Sequence, residues 1–234
     1  MAADDASTSS HRRQADGGFG LRALAALSVL VSGVIAFVLA SSALELVREE
    51  LHHNCGMRPP GSEGAGTWIC SDEIGYLSIA GILAIGLLAV VLVGSVIALL
   101  VRHDRPARLA LVILAALSTA WILGLTWYGS STQVQDQYAP LTGTEYWVGA
   151  VGPAAVVSAI GLAVGMVSLQ PTRPRSWILG IGATVLLIVA VVLQPGLSLN
   201  LLPAAGLLAA AVVRGVSAGT TSGRVTLAAA RRDR

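Results

Sequence analysis

The sequence predicts an all-α integral membrane protein, a bundle of six transmembrane helices with both termini in the cytoplasm. Three observations lead there. Of the 234 residues, 54% are hydrophobic and only 12% are charged, about half the roughly 25% charged content of a soluble domain. A single water-soluble core of that composition would lack the polar side chains to coat it, whereas spans in lipid can leave their outer surface apolar. Residues 76–101 then form an uncharged run, YLSIAGILAIGLLAVVLVGSVIALLV. At about 1.5 Å per helical residue this run crosses a hydrocarbon core about 30 Å thick. It is followed by RHDRPAR and a second apolar run from Leu109, the pattern of a transmembrane hairpin turning on the cytoplasmic side. Finally, every basic residue is Arg, and six spans place 13 of the 15 on one side, with only Arg48 and Arg58 opposite. An odd number of spans would move an arginine cluster to the wrong side.

Residues 1–20 are small and polar and read as a disordered cytoplasmic tail. The first span covers 21–47, too long an apolar stretch for the core of a cleaved signal peptide. Glu45, near its outer end, reads as a headgroup-level carboxylate. The outer loop 48–75 is rich in Gly, Pro and Ser, which excludes a long helix. It holds both cysteines, Cys55 and Cys70. An even count in an extracytoplasmic loop predicts a disulfide, closing a loop of about 16 residues and constraining the unfolded chain by roughly 3 kcal/mol. Trp68 and Tyr76 fit an interfacial aromatic belt.

The second span is 76–101 and the third 109–128, with Trp127 and Tyr128 in the outer belt. Residues 129–146 form a second outer loop without arginine. The fourth span, 147–169, is dense in small residues. Its Gly161–Gly165 pair predicts a helix-packing face, inside the bundle or at a subunit contact, and Pro153 predicts a kink. The fifth span is 177–193. The sixth, 199–216, is the weakest: it is short, contains Pro203 and ends at Arg214, which would snorkel to inner headgroups. Residues 217–234 read as a cytoplasmic tail touching anionic lipid. An internal echo pairs Arg105-Pro106-x-Arg108 with Arg173-Pro174-Arg175, each between two spans.

Catalytic signatures are absent: no GxSxG, HExxH, P-loop or GxGxxG occurs. All four histidines lie in tails or loops, so no span carries a haem ligand. The sharpest local cluster is His52-His53-Asn54-Cys55. Two imidazoles and a thiolate suit a soft metal, but the disulfide removes the thiolate and adjacent histidines converge only on an irregular backbone. An enzyme would have to use His52, His53 and Asp72. A quinone-type redox relay needs a second cysteine pair. The spans contain serines and threonines but no deep charge; Ser118 and Thr119 are expected to bond back to their own helix. The basic residues are scattered among loops, which excludes a nucleic-acid patch.

The resulting expectation is a non-enzymatic, cofactor-free, multi-pass protein of a bacterial cell membrane; the all-arginine basic set suggests a GC-rich genome. Its partners would be the lipid bilayer and other membrane subunits, to which it would be an accessory or scaffold. A small permease for an apolar or lipid-like solute is the alternative, and it requires a cavity between spans.

Overall fold

A computed structural model describes the backbone of residues 4–133, 136–170 and 176–232, with side-chain contacts between residues 19 and 216. The described residues form eight α-helices: α1 (Asp4–Val38), α2 (Ala40–Glu45), α3 (Leu77–Leu100), α4 (Asp104–Gln133), α5 (Gly143–Ala150), α6 (Gly152–Val167), α7 (Ser176–Leu193) and α8 (Ser198–Arg232). Two three-residue strands, β1 (Cys55–Met57) and β2 (Trp68–Cys70), pair antiparallel, with Cys55 opposite Cys70. Those two cysteines form the disulfide.

Among the described residues five segments are long and apolar enough to cross a membrane: Phe19–Val38, Ile74–Leu100, Asp104–Thr132, Ser176–Leu193 and Pro195–Val216. The pair α5 and α6, bent by 58°, makes a sixth if it counts as one crossing. The bend sits at Gly152-Pro153, where the proline cannot donate to the Gly149 carbonyl one turn earlier and its ring crowds that carbonyl.

The least convincing apolar stretch of the sequence turns out to be the axis of the bundle. The segment 195–216 is 78% buried, against 22–39% for the other four unbroken segments. Helices α1, α3, α4 and α7 all pack on α8. Small residues make this close packing feasible. At Gly206 an added Cβ would overlap the Ser32 side chain of α1 and lie 3.0 Å from the Ser28 carbonyl oxygen. In the other direction, α8 presents Leu207, Leu208 and Val212 to Gly94 of α3, Gly165 of α6 and Gly180 of α7. Pro203 lies in the second turn of α8 without ending it. One turn earlier, the Asn200 carbonyl accepts a bond from Ser118 Oγ of α4 at 3.1 Å.

Several expected boundaries move. The first span ends at Val38: the helix breaks at Leu39, resumes as α2, and finishes in a π-helical turn over Leu46–Glu50. The RHDRPAR turn shrinks to residues 101–103, because Asp104 opens α4 and Pro106 falls in its first turn, where a missing N–H costs nothing. The second loop shortens as α4 runs to Gln133 and α5 starts at Gly143 behind a Thr142–Glu145 capping box. Residues 4–20 and 217–232, expected as disordered tails, continue α1 and α8 as helix. Extending a helix already anchored by packing costs far less than starting one. The 171–175 turn, and with it Arg173 and Arg175 of the internal echo, lies outside the described residues.

Gly161 and Gly165 sit against neighbours in the same chain. A Cβ at 161 would stand 3.1 Å from Leu186 Cβ and 3.3 Å from the Ala183 carbonyl oxygen of α7; one at 165 would stand 3.4 Å from Leu208 of α8.

Candidate functional site

The two ends of the bundle differ in chemistry. One end carries Arg22, Arg102, Arg105, Arg108 and Arg214; the other carries the disulfide hairpin. At the arginine end, guanidinium groups close the carbonyl-bearing ends of helices. Arg214 Nη1 donates to the Ala98 carbonyl at 3.3 Å and Nη2 donates to the Val101 carbonyl, capping α3. Its Nε lies 3.0 Å from Asp104 Oδ1 at the start of α4. Arg108 Nη2 donates to the Ser168 carbonyl at 3.2 Å, capping α6, and Arg22 Nη2 donates to the Arg102 carbonyl at 3.0 Å. Helix C-termini hold unsatisfied carbonyls and partial negative charge, which these cations neutralise. Arg214 therefore does not snorkel: it is fully buried.

The hairpin end holds the candidate site. After the π-helical turn, His52 and Asn54 take positive φ angles of 49° and 53°, a conformation that His and Asn tolerate better than most residues. This reversal sends the two adjacent imidazoles different ways. His52 stacks on Trp68 with ring centroids 4.2 Å apart and meets Tyr146 edge-on at 4.9 Å. His53 turns inward, is 4% exposed, and places Nε2 3.2 Å from Ser130 Oγ of α4. It fits only because residue 129 is glycine, since a Cβ there would overlap the ring. Tyr76 donates its hydroxyl proton to the His53 carbonyl at 2.7 Å. Trp68 and Tyr76, expected in an interfacial belt, hold this loop through the His52 stack and the His53 carbonyl. Burial in apolar surroundings lowers the His53 pKa to about 4, so the ring is neutral near pH 7.

Under His53 lies a pocket of about 270 Å³. Its inner wall is Ala43, Leu46, Val47, Leu83, Ile122 and Gly129, all buried, and Gly196 forms part of its floor. Its exposed lining residues are Ser78 and Ile82 of α3 and Tyr128 of α4, so the pocket is open between those two helices. For scale, an apolar protein cavity of about 150 Å³ accepts benzene. Polar atoms at the wall are already engaged: Thr126 donates to the Ile122 carbonyl at 2.9 Å and accepts from Trp147 Nε1 at 2.9 Å.

The hairpin and the π-helical turn before it are each tied to another part of the chain. Asp136 Oδ2 accepts from the Met57 amide at 2.6 Å, joining β1 to the loop after α4, and Oδ1 accepts from the Tyr138 amide at 2.8 Å. Those two donors hold the Asp136 carboxyl below its usual pKa. Gln194 Nε2 donates to Glu50 Oε2 at 2.6 Å and to the Ala150 carbonyl at 3.0 Å, joining the π-helical turn, α5 and the α7–α8 turn.

Of the residues singled out in sequence, the fold brings His53 and the Cys55–Cys70 bridge to this site. Gly161 and Gly165 lie deeper, between α6 and its neighbours. Asp72 starts the 3₁₀ turn that leads into α3, and Glu45 is exposed at the end of α2. Among the described residues no three His, Cys, Asp or Glu side chains converge as metal ligands. Thr119 bonds back to the Ala115 carbonyl as expected, whereas Ser118 reaches across to Asn200. Sequence reasoning missed Gln194, Thr126 and Trp147; the only available signal was polar residues at apolar positions. Searches of protein families, curated proteins and solved structures found no match to this chain.

Proposed function

We propose that this chain is a non-catalytic, multi-pass protein of a bacterial cell membrane that binds an apolar, lipid-like molecule, as a small permease or carrier would. The observation that carries this reading is the apolar pocket whose exposed lining residues belong to α3 and α4. An apolar cavity open between two lipid-facing helices is reached from hydrocarbon rather than from water. The orientation follows from charge: the arginine end faces the cytoplasm, by the positive-inside bias, and the hairpin end with its disulfide faces the oxidising exterior. α5 and α6 then form one bent crossing, giving six spans and both termini inside.

The test uses full-length protein in vesicles with a phosphatidylcholine bearing a diazirine in its acyl chain. Photolabelling should concentrate on residues 78–83 and 122–129. It should fall at least severalfold when Ile82→Trp blocks the mouth or Leu83→Trp fills the interior. Uniform labelling of all lipid-facing helices, unchanged by either substitution, would refute the pocket as a binding site. Orientation is checked separately: Ser131→Cys should react with an impermeant maleimide on intact cells, and His103→Cys only after lysis.

The accessory-subunit reading has one supporting surface. The small-residue face of α6 is filled by α7 and α8, but Ile69 on the hairpin and Ile74 beside it are 53% and 78% exposed. Pull-down of a stoichiometric partner that is lost on Ile69→Ser with Ile74→Ser would favour this second function.

A further inference from the structure

The arginine end concentrates guanidinium groups. Arg22, Arg102, Arg105, Arg108 and Arg214 share that end with Asp104, the one carboxylate there between residues 19 and 216, which pairs with Arg214. Arg105 and Arg108 lie three residues apart in the first turns of α4, so their side chains leave the same helix face. They line a cleft of about 380 Å³ together with Pro106, Leu109 and Leu169, the last from the end of α6. Arg108 commits one Nη to the Ser168 carbonyl, while its Nε is buried without a hydrogen-bond partner among the described residues. Two guanidinium groups at the lip of an apolar wall match an amphiphile whose anionic group sits just above its hydrocarbon.

We propose that this cleft binds the phosphate of an anionic membrane phospholipid. Arg105 and Arg108 hold the phosphate oxygens, and Pro106, Leu109 and Leu169 carry the first carbons of an acyl chain. Zwitterionic lipids bind less well because a choline ammonium would meet the same two arginines. The site is separate from the pocket under His53, at the opposite end of the bundle, and stands without it.

The experiment is native mass spectrometry of the full-length protein in detergent, with equal amounts of phosphatidylglycerol and phosphatidylcholine. Phosphatidylglycerol should be retained roughly tenfold better, and Arg105→Gln should reduce its retention about fivefold, the scale of one arginine–phosphate contact. Arg105 is exposed, so its replacement should not disturb folding; Arg108→Lys, which keeps charge but loses the fork, gives a second reading and should weaken retention less. Arg102→Gln, at the same end but outside the cleft, should change nothing. Equal retention of the two lipids, or retention unchanged by Arg105→Gln, overturns the proposal. So does displacement of all bound lipid by millimolar inorganic phosphate, which would mark a free-anion site instead.

Discussion

Arg214 offers the sharpest test of the bundle. If it snorkelled to headgroups, lysine would replace it at little cost, since both side chains carry charge on a long flexible stem. The structure instead buries it completely, with two carbonyls and a carboxylate arranged around one planar fork. A lysine ammonium is a point donor and cannot span all three. Arg214→Ala removes two charge-assisted hydrogen bonds and an ion pair, and leaves the Ala98 carbonyl without its donor in a buried site. Breaking a buried pair of this kind costs about 3–5 kcal/mol. The Asp104 side chain is 31% exposed and recovers some hydration, so the lower half of that range is expected. Arg214→Lys should cost about 1–3 kcal/mol through the lost fork. At roughly 2–4 °C per kcal/mol for a chain of this size, Arg214→Ala should lower the melting temperature in detergent by on the order of 10 °C. The readout is loss of helical circular dichroism on heating. Wild-type melting in Arg214→Lys, with Arg214→Ala within a degree or two of it, would refute the buried cap and restore snorkelling.

His53 should make stability depend on acid. Its folded pKa of about 4 lies below the ordinary imidazole value of 6.5, so between those values the unfolded chain binds the proton that the folded chain refuses. Stability is complete above about pH 6.5 and declines as pH falls toward 4, by up to about 3 kcal/mol at 1.36 kcal/mol per unit. His53→Gln should flatten that stretch of the melting-temperature profile. Gly206→Leu should prevent α1 from docking on α8 and cost at least 1–3 kcal/mol by overpacking, read as a loss of folded protein in detergent size-exclusion chromatography. Cys55→Ser with Cys70→Ser should free the hairpin at a cost of roughly 3 kcal/mol, seen as faster proteolysis of residues 55–70 while the helices persist.

Much of this architecture is legible in the residues. The uncharged runs of α3 and α7 appear within a residue or so of their observed ends, because transfer to lipid depends on composition and length alone. The cysteine pairing follows from there being two cysteines in one loop. The bend at Pro153 follows from a missing N–H. The fates of His52 and His53 were not legible: they are neighbours in sequence, and a backbone reversal sends one to an indole and the other into an apolar pocket. The pocket itself is assembled from α2, α3, α4 and two loops far apart in the chain.

By itself, the sequence determined which segments are oily, which end carries the arginines, and where the staple closes. Tertiary structure alone decided which helix is central. α8 has the lowest mean hydropathy of the five unbroken segments, 1.9 against 3.0 for the α3 segment, yet is 78% buried where the α3 segment is 22% buried. Hydropathy measures the gain of side chains facing lipid. The middle of a bundle selects instead for small residues that let backbones approach, and for a buried arginine that can satisfy the carbonyls of its neighbours.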